Sequence, residues 1–455
     1  MIWIELAILL ACIVVGARLG GIALGTVAGI GLLVFVFGFG LHPGGPPGVV
    51  VGMIIAVITA LATMQAAGGL DWLVSVAERV LRSKPQYITF VAPVVTYVLI
   101  FASGTTHVIY ALLPVIAAVS RKAGIRPERP LSISVIAGFL GVVASPISAA
   151  TVALVGVLGA QNVTLANVLA VTVPSTFLGV LAGALSVAKR GKPLAEDPEA
   201  QARLAVAETA APGPREGAKA GAAAPAAELT GAALFNARGS TLLFLAGIVL
   251  VVLIGIFPSL RPVYEVTGPE GMMTEQVSMA AAIMIVMIAT AGLTMLLFKA
   301  SPAKALSGNM MSSGISAVIC IVGVAWLGSS FFEGNRAFIV GGISGLIESH
   351  PWTFAIGLFA LSSMLFSAAA TVSILMPVGV ALGLPASSLI AFYPAANGVF
   401  FLPTYGTLLA AVSFDQTGTT KIGKYLLNHS FMLPGLVAVA TSIGVGVLIQ
   451  MVLAP

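Results

Sequence analysis

Three stretches of this chain, Thr241–Pro258, Met279–Phe298 and Leu426–Leu448, run for 18 to 23 residues without one Asp, Glu, Lys or Arg. About 20 apolar residues in helical form cross the hydrocarbon core of a bilayer. Similar runs fill most of the sequence. Only 8% of the 455 residues are charged and 58% are hydrophobic, whereas a soluble domain carries about 25% charged residues. The solvent for this surface is therefore lipid. Gly (51) and Pro (26) are abundant, and membrane helices tolerate both where neighbouring helices satisfy the freed backbone. Cys12 and Cys320 each lie inside an apolar run, which argues against a structural disulfide, and no residue spacing suits a metal or cofactor. The net charge of +5 is expected to reflect basic loops on one membrane face rather than nucleic-acid binding. Met1–Gly16 contains Glu5 and no basic residue, so it reads as a first span and not a cleaved signal.

The pattern predicts an all-α integral membrane protein with about ten transmembrane helices. Spans are expected near 2–16, 21–40, 49–67, 131–158 and 165–187, and again near 240–258, 277–298, 305–328, 386–412 and 424–451. Two regions, 86–119 and 352–383, break in the middle at small polar residues, and the arms after the breaks are too short to cross about 30 Å. Both read as re-entrant hairpins; two tilted spans in each place would leave every other loop on the same side. The Ala/Gly/Pro/Glu-rich stretch 189–238 is expected to be a flexible cytoplasmic linker. It separates a first repeat, 1–188, from a second, 239–455. With both termini external, every Lys and Arg falls inside except Arg261 and Arg336, which is 19 of 21. Such clean sorting supports the span boundaries as well as the orientation.

The halves echo one another in order. Lys84-Pro85 matches His350-Pro351, Ser103-Gly104-Thr105-Thr106 matches Ser367 to Thr371, and Ser145-Pro146 matches Leu402-Pro403. Five spans separate equivalent points, so the repeats are inverted, each with a hairpin and a broken helix, as in secondary transporters. Non-helical backbone at membrane depth survives only where it lines a cavity or is buried in protein. Ser145-Pro146 looks like a helix start, with Ser as cap and Pro at the first helical position. Two hairpin tips and two breaks could aim four half-helix N-termini at one point, each carrying roughly half a positive charge. That suits a dianion without any Lys or Arg at depth. The candidate binding residues are Ser103, Gly104, Thr105, Thr106, His107, Ser145, Pro146, Ser148, Ser367, Thr371, Asn397, Pro403, Thr404 and Thr407. The competing assignment has these hydroxyls and the Asn397 amide bonding only within and between helices. His107 could titrate near neutral pH or act as a neutral hydrogen-bonding residue. Asp415, at the edge of the ninth span, is expected to pair with Lys421 or Lys424. Gly21, Gly25 and Gly29 form a packing stripe. Gly418-xxxx-Gly423-Lys424 lacks the Ser or Thr and the preceding strand of a phosphate loop, which excludes an ATP-driven pump. No nucleophile–base pair or ligand cluster supports an enzyme.

Several motifs taken together are similar to one family. They are Gly16-Ala-Arg-Leu-Gly-Gly21, Met64-Gln-Ala-Ala-Gly-Gly-Leu-Asp71, Gly104-Thr-Thr-His-Val108, Ala144-Ser-Pro-Ile-Ser-Ala149, Leu402-Pro-Thr-Tyr405, Thr417-Gly-Thr-Thr-Lys-Ile-Gly423 and Asn428-His-Ser-Phe431. From end to end, apart from the linker, the chain resembles the Dcu family of anaerobic C4-dicarboxylate transporters. The resemblance implies exchange of fumarate, malate or aspartate for succinate across the bacterial inner membrane. It also implies a homodimer in which a transport domain moves against a scaffold. The chain departs from the pattern at Thr106, where Gly is expected, and at Gly406, where Pro is expected. Both positions touch the proposed site, so the preferred dicarboxylate stays open. A cation-coupled symporter and a dicarboxylate co-sensor are the alternative readings.

Overall fold

The computed structural model describes residues 1–19, 22–46, 48–161, 163–209, 230–268, 271–335, 338, 349–365, 367–403, 405–423 and 428–453. Helices α1 (Ile2–Leu19) and α2 (Ala23–Leu33) pack together, and α2 continues as a π-helical turn, Val34–Gly38. Helix α3 (Gly48–Ala66) meets α4 (Gly69–Ser83) at a 74° bend. Gly68 makes the corner at φ +85°, a backbone region open to glycine without the Cβ penalty. Sequence reading assigned no element to α4. Its buried residues Leu70, Val74, Ala77 and Leu81 fall three or four apart, so α4 is amphipathic.

The first hairpin follows as α5 (Ile88–Ser103) and α6 (Ile109–Lys122), of 16 and 14 residues. These lengths correspond to about 24 and 21 Å. A broken helix comes next, α7 (Glu128–Ala144) and α8 (Ala149–Leu158), and then the continuous α9 (Leu165–Val187). Within the stretch expected as linker, α10 (Pro198–Thr209) is helical, Leu194 and Ala200 are buried, and Asp197 bonds Arg126 at 2.5 Å. Residues 210–229 lie outside the described residues.

The second half opens with α11 (Gly231–Ile256), which starts earlier than expected. The strands β1 (Val263–Gly268) and β2 (Gly271–Gln276) then form an antiparallel hairpin with Val263 opposite Gln276. The membrane-spanning architecture is helical as expected, and this short hairpin is an addition between two helices, where β-favouring residues pair locally. Helices α12 (Met279–Phe298), α13 (Pro302–Ser307) and α14 (Asn309–Gly334) follow. The second hairpin is α15 (Thr353–Leu365) and α16 (Ala368–Ala381). The second broken helix is α17 (Ala386–Phe392), a 3-10 stretch Tyr393–Phe400, and α18 (Gly406–Phe414). The last helix, α19 (Met432–Leu453), begins later than the expected residue 424. Residues 424–427 lie outside the described residues; on either side of them Ile422 forms a β-bridge with His429, and Ser430 bonds Glu128.

The order hairpin, broken helix, long helix thus occurs twice. In each half the first hairpin arm packs on the first part of the broken helix. The two long helices α9 and α19 pack closely, since a Cβ at Gly183 would lie 3.1 Å from the Pro434 carbonyl oxygen. Small residues permit such approach in membranes. A second group comprises α1, α2, α3, α11, α12 and α14. It meets the first where α8 and α16 run against α3 and α14.

Polar groups gather beyond the C-terminal end of α9. Beyond Val187, the Arg190 side chain bonds the Ser430 carbonyl, and Arg129 bonds the carbonyls of Arg190 and Gly191. Glu128 is held by Arg126 at 2.9 Å and by the Ser430 hydroxyl at 2.8 Å. The Arg126 guanidinium also holds the Asp197 carboxyl below its ordinary pKa. Asp415 does not form the expected pair with Lys421, and Lys424 lies outside the described residues. Its carboxylate instead accepts from the Thr417 amide at 2.9 Å, the Thr419 hydroxyl at 2.8 Å and the Thr420 amide at 2.6 Å. Neighbouring donors in the loop reach a buried carboxylate at lower entropic cost than a long lysine side chain does.

Candidate functional site

The first hairpin turns at Gly104, which closes α5 at φ +68° with its amide bonded to the Ile100 carbonyl at 2.7 Å. Ser103 is buried, and its hydroxyl is 3.4 Å from the Thr105 carbonyl. Residues Thr106–Val108 form a 3-10 turn that leads into α6. His107 lies in that turn, and its side chain is outside the described set.

The first break meets this tip directly: a Cβ at Gly104 would lie 2.9 Å from Cγ1 of Ile147. The break differs from expectation in its cap. Ser145 ends α7 in extended conformation (ψ 127°), and α8 starts only at Ala149. Ser148 is the cap, accepting from the Thr151 amide at 3.1 Å, so Pro146 precedes the helix and is not its first residue. The Ser-x-x-Thr spacing carried this signal, because a cap reaches the amide three residues on. The Thr151 hydroxyl in turn bonds the Tyr393 hydroxyl at 3.0 Å.

The second break closes on both. Asn397, buried and non-helical at φ −105°, donates to the Phe139 carbonyl of α7 at 3.0 Å. Part of its amide is therefore spent between helices. Tyr405 hydrogen-bonds Thr106 of the first tip, and its ring packs on Phe139 at 5.4 Å between centroids. A Cβ at Gly406 would lie 2.5 Å from the Tyr110 hydroxyl. Pro403 is buried, and Thr404 lies outside the described residues. Helix α18 has Tyr405 at its cap position and no side-chain cap. Thr407, in its first turn, is buried, and its hydroxyl has no protein partner among the described residues. Buried hydroxyls are normally satisfied, so an available donor stands beside an uncapped helix N-terminus.

The second tip joins through its helix. Ser367 caps α16, accepting from the Ala370 amide at 3.2 Å. Thr371 is buried, and its hydroxyl bonds back to the Ser367 carbonyl at 2.8 Å. Helix α16 runs along α8, as α18 runs along α6. The structure thus ties the first tip to both breaks by direct contacts, while Ser367 and Thr371 arrive by helix packing. Sequence reading did not name Tyr110, Thr151, Tyr393 and Ser362, which the structure places in contact with the candidate segments. Ser362 accepts from the Gly398 amide at 2.7 Å and so holds the irregular backbone after Asn397. No periodicity marks partners that arrive from other helices.

A cavity of about 120 Å³ opens between the first tip and the second helix group. Ser103, Gly104, Thr105, Ile147 and Ala149 line one wall; Ile54, Val57, Ile58 and Leu61 of α3 and Met310 and Gly314 of α14 line the other. The lining carries no Lys, Arg, Asp or Glu. One wall is thus polar and built from broken backbone, and the other is smooth and apolar.

The fold is similar to two solved structures. MtrF of Neisseria gonorrhoeae, described with a class of antimetabolite efflux pumps, aligns at TM-score 0.58 and 14% identity, covering 98% of this chain and 94% of that one. The YdaH transporter of Alcanivorax borkumensis, described as having an unusual topology, aligns at 0.56 and 16% identity, covering 93% and 87%. By fold the chain is a multi-pass membrane protein. The family model for anaerobic C4-dicarboxylate membrane transporters matches residues 1–454. The chain is 40% identical over 453 residues to the C4-dicarboxylate transporter DcuA of Wolinella succinogenes, covering 100% of both. It is 39% identical over 445 residues to the anaerobic C4-dicarboxylate transporter DcuB of Escherichia coli, covering 96% of both. The chain belongs to the Dcu family of anaerobic C4-dicarboxylate transporters. These relatives are transporters and not enzymes.

Proposed function

We propose that this chain exchanges C4-dicarboxylates, taking up fumarate, malate or aspartate in return for succinate by alternating access. The observation that carries the reading is the uncapped N-terminus of α18 beside the unpartnered Thr407 hydroxyl, in a cluster whose tip opens on an uncharged cavity. Helix N-termini favour anions, and charge-assisted bonds from hydroxyls and amides are about twice as strong as neutral ones. A dicarboxylate is therefore stabilised without a lysine or arginine. The apolar wall of α3 and α14 gives a surface along which the hairpins and broken helices slide. The ordered recurrence of hairpin, break and long helix supports an inverted repeat. The sorting of basic residues supports termini on the periplasmic side and the 189–238 segment in the cytoplasm. The membrane is the bacterial inner membrane, and the family resemblance supports a homodimer.

Counterflow tests the reading. Purified protein in liposomes loaded with succinate takes up labelled fumarate faster than protein in empty liposomes. Equal uptake into both removes exchange and leaves uniport or cation-coupled symport.

A further inference from the structure

A larger cavity, of about 480 Å³, lies away from the candidate site and contains the one described arginine at its end of the molecule. It is lined by Val49 and Met53 of α3, by Val155, Gly156 and Gly159 after the first break, and by Arg261. The turn of α3 after Met53 lines the smaller cavity at the tip, as does Ala149 at the start of α8. From Ala149 to Val155 is about 9 Å along a helix. The two cavities therefore lie end to end on the seam between α3 and α8, the larger one towards the external end.

Three features make the larger cavity attractive to anions. Nη1 of Arg261 donates to the Val277 carbonyl at 3.1 Å, which anchors the guanidinium. Its Nε is buried and has no protein partner among the described residues, and an unsatisfied donor on a cation calls for an anionic acceptor. Thr164 and Ser278 also line the cavity, and each caps a long helix, so the N-termini of α9 and α12 face it. No Asp or Glu is in the lining, and Glu265 and Glu275 of the β-hairpin are exposed.

We propose that this cavity is an external recruitment site, in which Arg261 captures a dicarboxylate dianion through one carboxylate before it passes along the α3–α8 seam to the tip. The proposal rests on the reading of the chain as a dicarboxylate carrier. The bound dianion is not retained: one guanidinium and two helix ends at an accessible cavity raise local anion concentration rather than forming a closed site.

The test uses full-length protein with Cys12→Ser, Cys320→Ser and a single reporter, Val163→Cys, in the cavity lining. Thiol labelling from outside compares an anionic sulfonatoethyl methanethiosulfonate with its cationic trimethylammonioethyl counterpart. The anionic-to-cationic rate ratio is expected to fall about tenfold with Arg261→Gln at low salt, and to recover largely with Arg261→Lys. Raising salt should erase the ratio in the Arg261 protein itself, a readout that needs no substitution of the arginine. In cells, Arg261→Gln should raise the external half-saturation concentration for fumarate about tenfold at low salt, with the maximal rate kept within twofold. An unchanged labelling ratio overturns the site. A changed ratio with unchanged half-saturation overturns its role in recruitment. Absence of any dicarboxylate uptake by the Arg261 protein sinks the carrier reading instead, while the thiol kinetics still report the anion-attracting cavity.

Discussion

Gly104→Ala is the perturbation whose cost the structure specifies most closely. Two separate penalties apply. At φ +68° a Cβ in the left-handed region costs about 1–2 kcal/mol. The new methyl would also stand 2.9 Å from Cγ1, 3.2 Å from Cδ1 and 3.3 Å from the backbone carbon of Ile147. Ile147 is buried, so the clash adds overpacking of about 1–3 kcal/mol. The sum, roughly 2–5 kcal/mol, is a large part of the stability of a typical domain. Two further variants separate the penalties. Gly104→Asn tolerates the left-handed backbone but keeps the clash. The pair Gly104→Ala with Ile147→Ala removes the side-chain contacts at 2.9 and 3.2 Å and leaves only the backbone one, so the double mutant should recover most of the overpacking, about 1–3 kcal/mol, relative to the sum of the single costs. Denaturant unfolding in detergent gives the energies, and succinate–fumarate counterflow in liposomes gives the function. A Gly104→Ala protein with parental stability and exchange would refute the left-handed tip. Strict additivity in the pair would refute its contact with the first break.

Three other outcomes are expected. Thr105→Asp, facing the uncharged cavity, should weaken dicarboxylate binding on the order of a hundredfold relative to Thr105→Asn. A carboxylate about 5 Å from one substrate charge at an effective dielectric of about 20 costs roughly 3 kcal/mol, and equal binding by the two variants above pH 7 would return these hydroxyls to packing. His429 accepts from the Phe431 amide at 3.3 Å and lies 3.2 Å from the Phe401 carbonyl, and burial pushes its pKa below the ordinary 6.5. The neutral ring therefore contributes stability that is complete above about pH 6.5 and is lost as pH falls below it; a His429→Gln protein should show a flatter Tm between pH 7 and 5, and an identical slope would rule this out. Deleting 211–227 should leave exchange nearly intact, because closure entropy changes slowly with loop length, and a folded deletion without transport would make the segment part of the machine.

Much of the architecture was legible because the bilayer imposes it locally. An apolar run of about 20 residues can satisfy its backbone only as a helix, so Met279–Phe298 and Leu165–Val187 were readable to within a residue or two. Helix α4 escaped notice because its apolar positions fill one face and not a run. The β-hairpin escaped because its pairing is short and outside the spans. At the site, the breaks were readable from clustered Ser, Thr, Gly and Pro, which interrupt a helix wherever they fall. The cap at Ser148 was misplaced by three residues, since Ser145-Pro146 satisfies the same local rule.

The chain's own order of residues determined that it is a membrane protein and where its helices break, since each follows from transfer of nearby groups between water and lipid. Only the tertiary structure decided which polar side chains are already spent. Thr371 bonds its own helix and Asn397 bonds Phe139, while Thr407 is left without a protein partner. It also decided that Tyr405 reaches Thr106 and that Arg261 stands in a cavity rather than in open solvent. Those contacts join residues hundreds of positions apart, or depend on which of several equivalent rotations a helix adopts. No local rule of polarity or period chooses among them; the close packing of whole helices does.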